Sequence, residues 1–355
     1  TEHTNNNTTP VFNISTYLGW HFSGNTDNVN WIGALPKTPN DNSFGDFNVE
    51  NYVVHPSASI TWAGGSLSAS IDVSGDGTNV FGFDLSSTSA TGTKGYKKAL
   101  DILSNQDEYD INMLALPGVI KKIHPSVTDA AINMVERRGD AFYIMDLTEY
   151  DNTVLTALSE AEDLDTNYAA AYYPWVQVQG EKSTIWAPPS VIVPGVIAKS
   201  DEDSHPWFAP AGLNRGRIAV QGVAINLNQA ERDLLYEARI NPIANFPNVG
   251  ACIWGQKTLQ LRSSALDRIN VRRLLITVKK FIASSSKFLL FEQNTAATRN
   301  RFLNIVNPYL EGVQQNQGLY AFRVQMDESN NTADVVDRNQ LVGAIYLQPT
   351  KTAEF

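Results

Sequence analysis

Two short apolar runs, Ile111-Asn-Met-Leu-Ala-Leu116 and Phe142-Tyr-Ile-Met-Asp-Leu147, flank a stretch of helical period, Ser126 to Arg138, that ends at Gly139. A run apolar on both faces reads as a fully buried strand, and a helix between two such strands carries the chain back to start the second alongside the first. This β-α-β order requires a crossover and predicts a parallel pair, so the middle of the chain belongs to the α/β class.

The flanking regions differ. Residues 1–92 are rich in Asn, Gly, Ser and Thr and alternate as strands do, in Ala58-Ser-Ile60-Thr-Trp62 and Leu67-Ser-Ala69-Ser-Ile71-Asp-Val73, closed by a Ser74-Gly-Asp76-Gly77 turn. From Tyr96 to Leu103 the period is helical, and a further helix is expected over 152–163 before a third strand over 169–178. Pro188-Pro189-Ser190 has the form of a helix start, with the helix running on to Lys199. Asn228, with Glu231 three residues on, is an N-cap opening a helix to about Arg239 that Pro242 should stop. Beyond 246 the expectation is a strand at 251–254, helices at 267–283 and 295–314, and strands at 319–324 and 341–347. The whole chain thus reads as multi-domain, α/β in its middle and α+β overall, with mixed and parallel sheets flanked by helices and a mainly β N-terminal region. The expected divisions are 1–92, 93–245 and 246–355.

At 355 residues with 43% apolar content the chain is long enough for two or three cores. Its longest apolar runs, such as Leu274-Leu-Ile-Thr-Val278, fall far short of the ~20 residues a membrane span needs. Thr1-Glu-His-Thr-Asn-Asn-Asn-Thr-Thr lacks the basic start and apolar stretch of a signal peptide. The single cysteine, Cys252, excludes an internal disulfide and, between Ala251 and Ile253, reads as a buried small hydrophobe.

The net charge of −10 is unevenly spread. Residues 1–92 hold one base, Lys37, against eight acids, whereas 250–310 hold ten bases against Asp267 and Glu292. On a helix over 267–283, Val271, Leu274, Leu275, Val278, Phe281 and Ile282 share one arc. Arg268, Arg272 and Lys279 share another, with Arg273 and Lys280 beside them. Without local acids the basic residues repel one another, so an exposed basic stripe facing an acidic partner is the expectation.

Catalytic and metal signatures fail. His3, His21, His55, His124 and His205 show no paired-ligand spacing. Asp72 to Gly77 starts like a calcium loop, but its twelfth position is Phe83 instead of Glu. Asp201-Glu202-Asp203 before His205 reads as a solvated acidic loop, Arg138-Gly139-Asp140 as a helix end with a glycine cap, and the glycine of Asn214-Arg215-Gly216 as a tight-turn residue. No glycine-rich phosphate loop follows a strand. No catalytic, cofactor-binding or metal residue is assigned.

A chain of signatures runs through the second half: Trp207-Phe-Ala-Pro-Ala-Gly-Leu-Asn214-Arg215-Gly216, Gln229-Ala-Glu-Arg232-Asp233-Leu-Leu-Tyr236, Ile240-Asn241-Pro242-Ile243, Ile253-Trp254-Gly255, and Asp267-Arg268-Ile-Asn270-Val-Arg272-Arg273-Leu274. Ser285-Ser-Lys287-Phe-Leu-Leu-Phe291-Glu292, Val336-Asp337-Arg338-Asn339 and Tyr346-Leu-Gln-Pro349 follow. In this order and spacing, over at least 205–350, the chain resembles the contractile tail sheath protein of large tailed bacteriophages.

The resemblance implies a structural subunit that polymerises as a six-start helix around an inner tail tube and contracts without nucleotide to drive the tube through the host envelope. It implies no cofactor. Its partners would be other sheath subunits, the tail tube protein, the baseplate and the tail terminator, with no nucleic acid or membrane. The location would be the virion tail, assembled in the host bacterial cytoplasm. By the same analogy residues 1–92 belong to an outer decoration domain and 246–355 face the tube, which makes Arg268, Arg272, Arg273, Lys279 and Lys280 the candidate tube contacts. The start without Met and the end soon after a strand lead to the expectation of a fragment lacking both terminal arms, monomeric by itself. Two other readings stand as alternatives: a hydrolase-like α/β enzyme pairing His124 with Asp146, and a nucleic-acid-binding module on the basic residues of 257–301.

Overall fold

The computed structural model describes residues 87–180, 184–247 and 249–354, with Leu85 and four short strands before them. These are β1 (Ser59–Trp62), antiparallel to β2 (Gly65–Ser68), and β3 (Asn79–Val80), antiparallel to β4 (Phe83–Asp84). The expected strand at 58–62 falls on β1. The Ser74–Gly77 turn, the candidate calcium loop, His3, His21 and His55 lie outside the described residues.

The described residues fall into two compact units, one taking those up to Tyr109 with Gly118–Met134, the other Asp110–Pro117 with those from Val135 on. In the first, α1 (Thr91–Leu103) buries Leu100, and Thr93 Oγ1 donates to the Ser87 carbonyl at 2.8 Å. The strand β5 (Met113–Ile120) leads to α2 (Pro125–Arg138), which opens on a proline in its first turn and buries Val127, Ala131 and Met134 at helical spacing. Gly139, at φ 66°, ends it as expected.

The second unit is built on a five-stranded sheet in the order β12-β11-β7-β6-β5. Every residue of β6 (Phe142–Asp146) and β7 (Ala169–Tyr173) is buried, the pattern of a strand covered on both faces, and the two pair in parallel. Between them α3 (Val154–Glu162) makes the crossover, capped by Thr153. The expected single strand over 169–178 instead divides at Pro174, which lacks a ladder donor. Its second part, β8 (Val176–Gln179), joins β9 (Thr184–Ala187) and, later, β10 (Gly222–Val223) in a separate antiparallel sheet.

Helix α4 (Pro189–Asp203) starts from Pro188, and α5 (Gly212–Arg215) is a single turn. Helix α6 (Gln229–Glu237) carries the expected capping box, with Glu231 N–H to Asn228 Oδ1 and Asn228 N–H to Glu231 Oε2, both 2.9 Å. Pro242 does not stop it. The chain turns earlier, at Arg239 with φ 67°, whose guanidinium binds the carbonyls of Ala161, Leu164 and Leu259. Pro242 lies within β11 (Ile240–Phe246), parallel to β7 and antiparallel to β12 (Gly250–Ile253).

The long helix α7 (Ile269–Ser286) follows, then α8 (Ala296–Gln315), β13 (Leu319–Gln325), the short α9 (Ala333–Asp337) and β14 (Ala344–Pro349). Strands β13 and β14 pair antiparallel as a two-stranded ribbon. Two apolar cores result. The sheet core holds Phe142, Ile144, Tyr172, Val193, Ile197 and Ile243, and the other holds Trp207, Phe302, Val306, Leu310 and Leu319. Helix α7 belongs to both: Ile269 and Ile276 enter the sheet core, Leu274 and Val278 the second.

Candidate assembly interface

The basic residues of α7 are not a free stripe. Arg272 is 3% exposed; its Nε donates to the Asn167 carbonyl at 3.1 Å, a second nitrogen reaches Asn167 Oδ1 at 2.5 Å, and the guanidinium lies 4.0 Å over the Tyr168 ring. Arg273 is buried too, in a two-point pair with Asp201 and a bond to the Pro206 carbonyl at 3.3 Å. Arg268 meets Asp267 at 3.1 Å and Glu354 at 2.8 Å. Lys280 reaches Asp110 Oδ1 at 2.5 Å, Asn112 Oδ1 at 2.5 Å and the Ile111 carbonyl at 2.7 Å. Only Lys279 is exposed, with Nζ 3.3 Å from the Tyr168 hydroxyl.

The expectation that Arg268, Arg272 and Lys279 stand exposed together is thus corrected for Arg272, which is buried, and for Arg268, which is half-buried and paired, and the physical reason is range. Acids missing from the local window arrive from distant segments as Asp110, Asp201 and Glu354, while Arg272 takes a carbonyl and an aromatic face. With two cores on its flanks, α7 has little surface left for water, so its cations must be paired inside. Burial lowers the pKa of Arg272, against the opposing influence of Tyr168. The Asp201 segment, expected as a solvated loop, is instead the last turn of α4, and Asp201 ties that helix to α7.

Residues of several of the signatures, from 207–216, 229–236, 240–243, 253–255 and 267–274, meet in one place. Asn241, fully buried, donates from Nδ2 to the carbonyls of Ala171 (3.1 Å) and Lys257 (2.8 Å) and accepts Lys257 N–H at 2.6 Å, clipping the loop after β12 to β11. A side chain on Gly255 would meet Asn241 Oδ1 at 2.9 Å and the Tyr236 ring at 3.0 Å, which requires glycine there. A cavity of about 520 Å³ opens beside them, with Arg232, Asp233, Tyr236 and Trp254 in its wall. Lys257 donates to the Tyr236 carbonyl at 2.7 Å and lies 4.3 Å over its ring; burial, then the charge of Arg268, lowers its pKa.

Glu354 closes this cluster, accepting from the Tyr236 hydroxyl at 2.5 Å and from Gln256 Nε2 and Arg268 Nε at 2.8 Å each. Burial pushes its carboxyl up, but the Tyr236 and Gln256 hydrogen bonds and the Arg268 charge prevail and hold it below the usual range. Burial and Glu354 together raise the Tyr236 phenol. The sequence reading missed Tyr236, Gln256 and Glu354 as one site, since 118 residues separate the first from the last.

Among the described residues, two groups of exposed aromatic and aliphatic side chains belong to the second core's side of the fold. The ribbon β13–β14 turns Phe322, Val324, Ile345 and Leu347 toward the second core and leaves Tyr320 and Tyr346 outward, each 57% exposed. Past α7, Phe288, Leu290 and Phe291 are exposed, Phe291 fully so and at φ 68°. Exposed aromatics of this kind are the residues that anchor protein interfaces.

Residues 91–259 match the family model described as phage tail sheath protein central domain, and 262–355 the phage tail sheath C-terminal domain. The chain belongs to the phage tail sheath protein family. It is 42% identical over 230 residues to the tail sheath protein of Enterobacteria phage T4, which takes in 64% of this chain and 33% of the relative. With the tail sheath protein of Vibrio phage KVP40 it shares 39% over 211 residues, 59% of this chain and 31% of the relative. The chain therefore spans about a third of the length of the curated relatives it matches. Among solved structures, the sheath complex of an extracellular contractile injection system, PVC, in its contracted state aligns at TM-score 0.56 and 27% identity, over 63% of this chain and 66% of that one. The anti-feeding prophage baseplate in its contracted state shares the fold at TM-score 0.62 and 23% identity, over 72% and 74%.

In this sheath chain His124 and Asp146, the pair of the enzyme reading, serve the fold locally. His124 Nδ1 accepts Ile120 N–H at 3.1 Å, while both Asp146 oxygens are taken by Ser190, through N–H at 3.1 Å and Oγ at 2.5 Å, at the N-terminus of α4. Burial nevertheless raises the Asp146 carboxyl to about 7. Arg138 and Asp140 pair at 2.8 and 3.0 Å around the Gly139 cap. Cys252 is fully buried, its thiol pushed up to about 11 by burial. A side chain on Gly216 would meet Ala211 Cα at 2.7 Å, so close backbone approach accounts for that glycine. Among the described residues no group of three or more His, Cys, Asp or Glu side chains is placed to hold a metal.

Proposed function

We propose that the full-length protein is the subunit of a contractile tail sheath, a non-enzymatic component of the virion tail that polymerises around an inner tube and shortens to drive it through the host envelope. The observation that carries this reading is the succession of the two sheath domains along residues 91–259 and 262–355. The architecture suits such a role, since two cores tied by one helix make a body that can move rigidly between two lattice packings, and the energy of contraction resides in contacts between copies. The partners proposed are other copies of the protein, the tube, the baseplate and the tail terminator, with assembly in the host cytoplasm. Residues 93–245 and 246–355 act as the two sheath domains and 1–92 as part of an outer domain. The tube-facing assignment of Arg268, Arg272, Arg273, Lys279 and Lys280 is carried forward for Lys279, because the other four are engaged within the subunit. Electron microscopy of the full-length protein tests the reading. Hollow cylinders are expected, and dispersed particles at every concentration refute it.

A further inference from the structure

The segment Thr350–Glu354 leaves β14 and crosses the body held at its two ends. At the near end Thr350 donates from Oγ1 to the Gln317 carbonyl at 2.7 Å and from N–H to the Gly318 carbonyl at 3.3 Å. At the far end stand the Glu354 bonds to Tyr236, Gln256 and Arg268, with Gln256 Nε2 also 2.6 Å from Thr352 Oγ1. Between the ends, cavities of about 520 and about 730 Å³ flank the segment, and both include Thr352 and Ala353 in their walls. No residue of the segment enters either apolar core. A peptide bordered by open volume, with Lys351, Thr352 and Ala353 exposed, has few packing contacts to hold it, so its polar end contacts must.

The far anchor draws on three parts of the unit. Tyr236 belongs to α6, Gln256 follows β12, and Arg268 is the N-cap residue of α7. The near anchor is the turn between α8 and β13. The segment therefore spans from the ribbon of the second core to the rim of the sheet core.

We propose that Tyr236, Gln256 and Arg268 form a carboxylate clamp for Glu354, and that the clamped segment is a tie holding the β13–β14 ribbon in a fixed attitude to the sheet core. The inference deepens the sheath reading and rests on it in one respect: the ribbon, with Tyr320 and Tyr346 outward, is taken as a surface that neighbouring copies grip. A pull on β14 then passes along Thr350–Glu354 to Arg268 and into α7, which is anchored in both cores. Glu354 and Arg268 act as positioning residues, setting how stiffly a lattice contact is coupled to the body.

The test uses the full-length protein carrying Glu354→Ala, with Tyr236→Phe as a second variant that removes one donor and keeps the ring. Hydrogen exchange on the unassembled protein should be about tenfold faster at residues 350–354 in Glu354→Ala and a few-fold faster in Tyr236→Phe, with α7 and β13 amides unchanged. Assembled tubes of either variant should form and come apart at lower urea than the unaltered protein. Unchanged exchange at 350–354 overturns the clamp. Faster exchange with tubes as resistant as the unaltered ones overturns the tie to the lattice. If the unaltered protein makes no tubes, the sheath reading falls, and the exchange measurement still decides the clamp. Should Glu354→Ala fail to fold, the Tyr236→Phe exchange decides it alone.

Discussion

Replacing Arg273 by methionine keeps most of the apolar stem of the side chain and removes the guanidinium, with its charge and donors. In the folded protein those donors bind Asp201 at two points and the Pro206 carbonyl, joining α7 to the end of α4. Breaking a buried ion pair by deleting one partner costs about 3–5 kcal/mol, because the other charge is left without compensation. Here the Arg273 side chain is 8% exposed but that of Asp201 is 28%, so water can reach the stranded carboxylate. We therefore expect roughly half the full cost, about 2 kcal/mol. For a unit of this size that is a fall in Tm of about 4–8 °C. Thermal and urea unfolding of Arg273→Met, Asp201→Asn and the double variant measure it, with a coupling of at least about 1 kcal/mol expected from the cycle. A single-variant effect within about 0.5 kcal/mol, the range of ordinary surface substitutions, would refute the argument that α7 is cross-tied inside the subunit.

Asn241→Leu leaves the Ala171 carbonyl and both Lys257 backbone groups without their partner, and should destabilise by about 3 kcal/mol in urea unfolding; a change under about 1 kcal/mol would show that the clip is dispensable. Glu354 has a depressed folded pKa, so its docking is fully present above about pH 4.3, the ordinary Glu value, and is lost as pH falls through the depressed one. Protection of residues 350–354 relative to the intrinsic exchange rate should fall over that acid window, and Glu354→Gln should flatten the profile. Asp146 has the opposite sign. Its folded pKa of about 7 exceeds the unfolded value near 3.9, so its contribution is complete below about pH 4 and is lost as pH rises through about 7. Relative to the unaltered chain, Asp146→Asn should gain stability between pH 5 and 8, on the scale of those two pKa values, and equal slopes in the two proteins would dismiss this.

What the sequence made legible was local. The Asn228–Glu231 box and the Gly139 cap each declare their conformation within a few residues, because capping acts over one turn, and the run at 142–147 falls on a strand buried throughout. The run at 111–116 also enters a strand, but only Leu114 of those six residues is buried, so the expectation of a fully buried strand there is corrected. The helix at 267–283 was equally plain, but its surroundings were not. A charge count over 250–310 sees ten cations and two acids, whereas the folded chain brings Asp110 to Lys280 across 170 residues and Asp201 to Arg273 across 72. Pro242 misled for a related reason: proline ends helices more often than it joins strands, yet here the left-handed turn at Arg239 had already ended the helix. The signatures pointed to the right neighbourhood without revealing its chemistry. Asn241, Gly255 and Tyr236 are explained only when three segments are seen to meet.

A helix common to two cores removes the possibility of melting them one at a time. To open the second core, Leu274 and Val278 must lose their packing, and the same eighteen-residue helix carries Ile269 and Ile276 in the other. Fraying from the Ser286 end is cheap, since Ala283 and Ser284 are exposed, but fraying past Val278 strips both cores together. The part of the chain from β6 to β14 should accordingly unfold as one cooperative block with a single midpoint, and no partly opened form should accumulate under load. Shape change in an assembly of such bodies has to be stored at their mutual contacts, where side chains such as Tyr320 and Tyr346 can exchange one neighbour for another without any interior bond being broken.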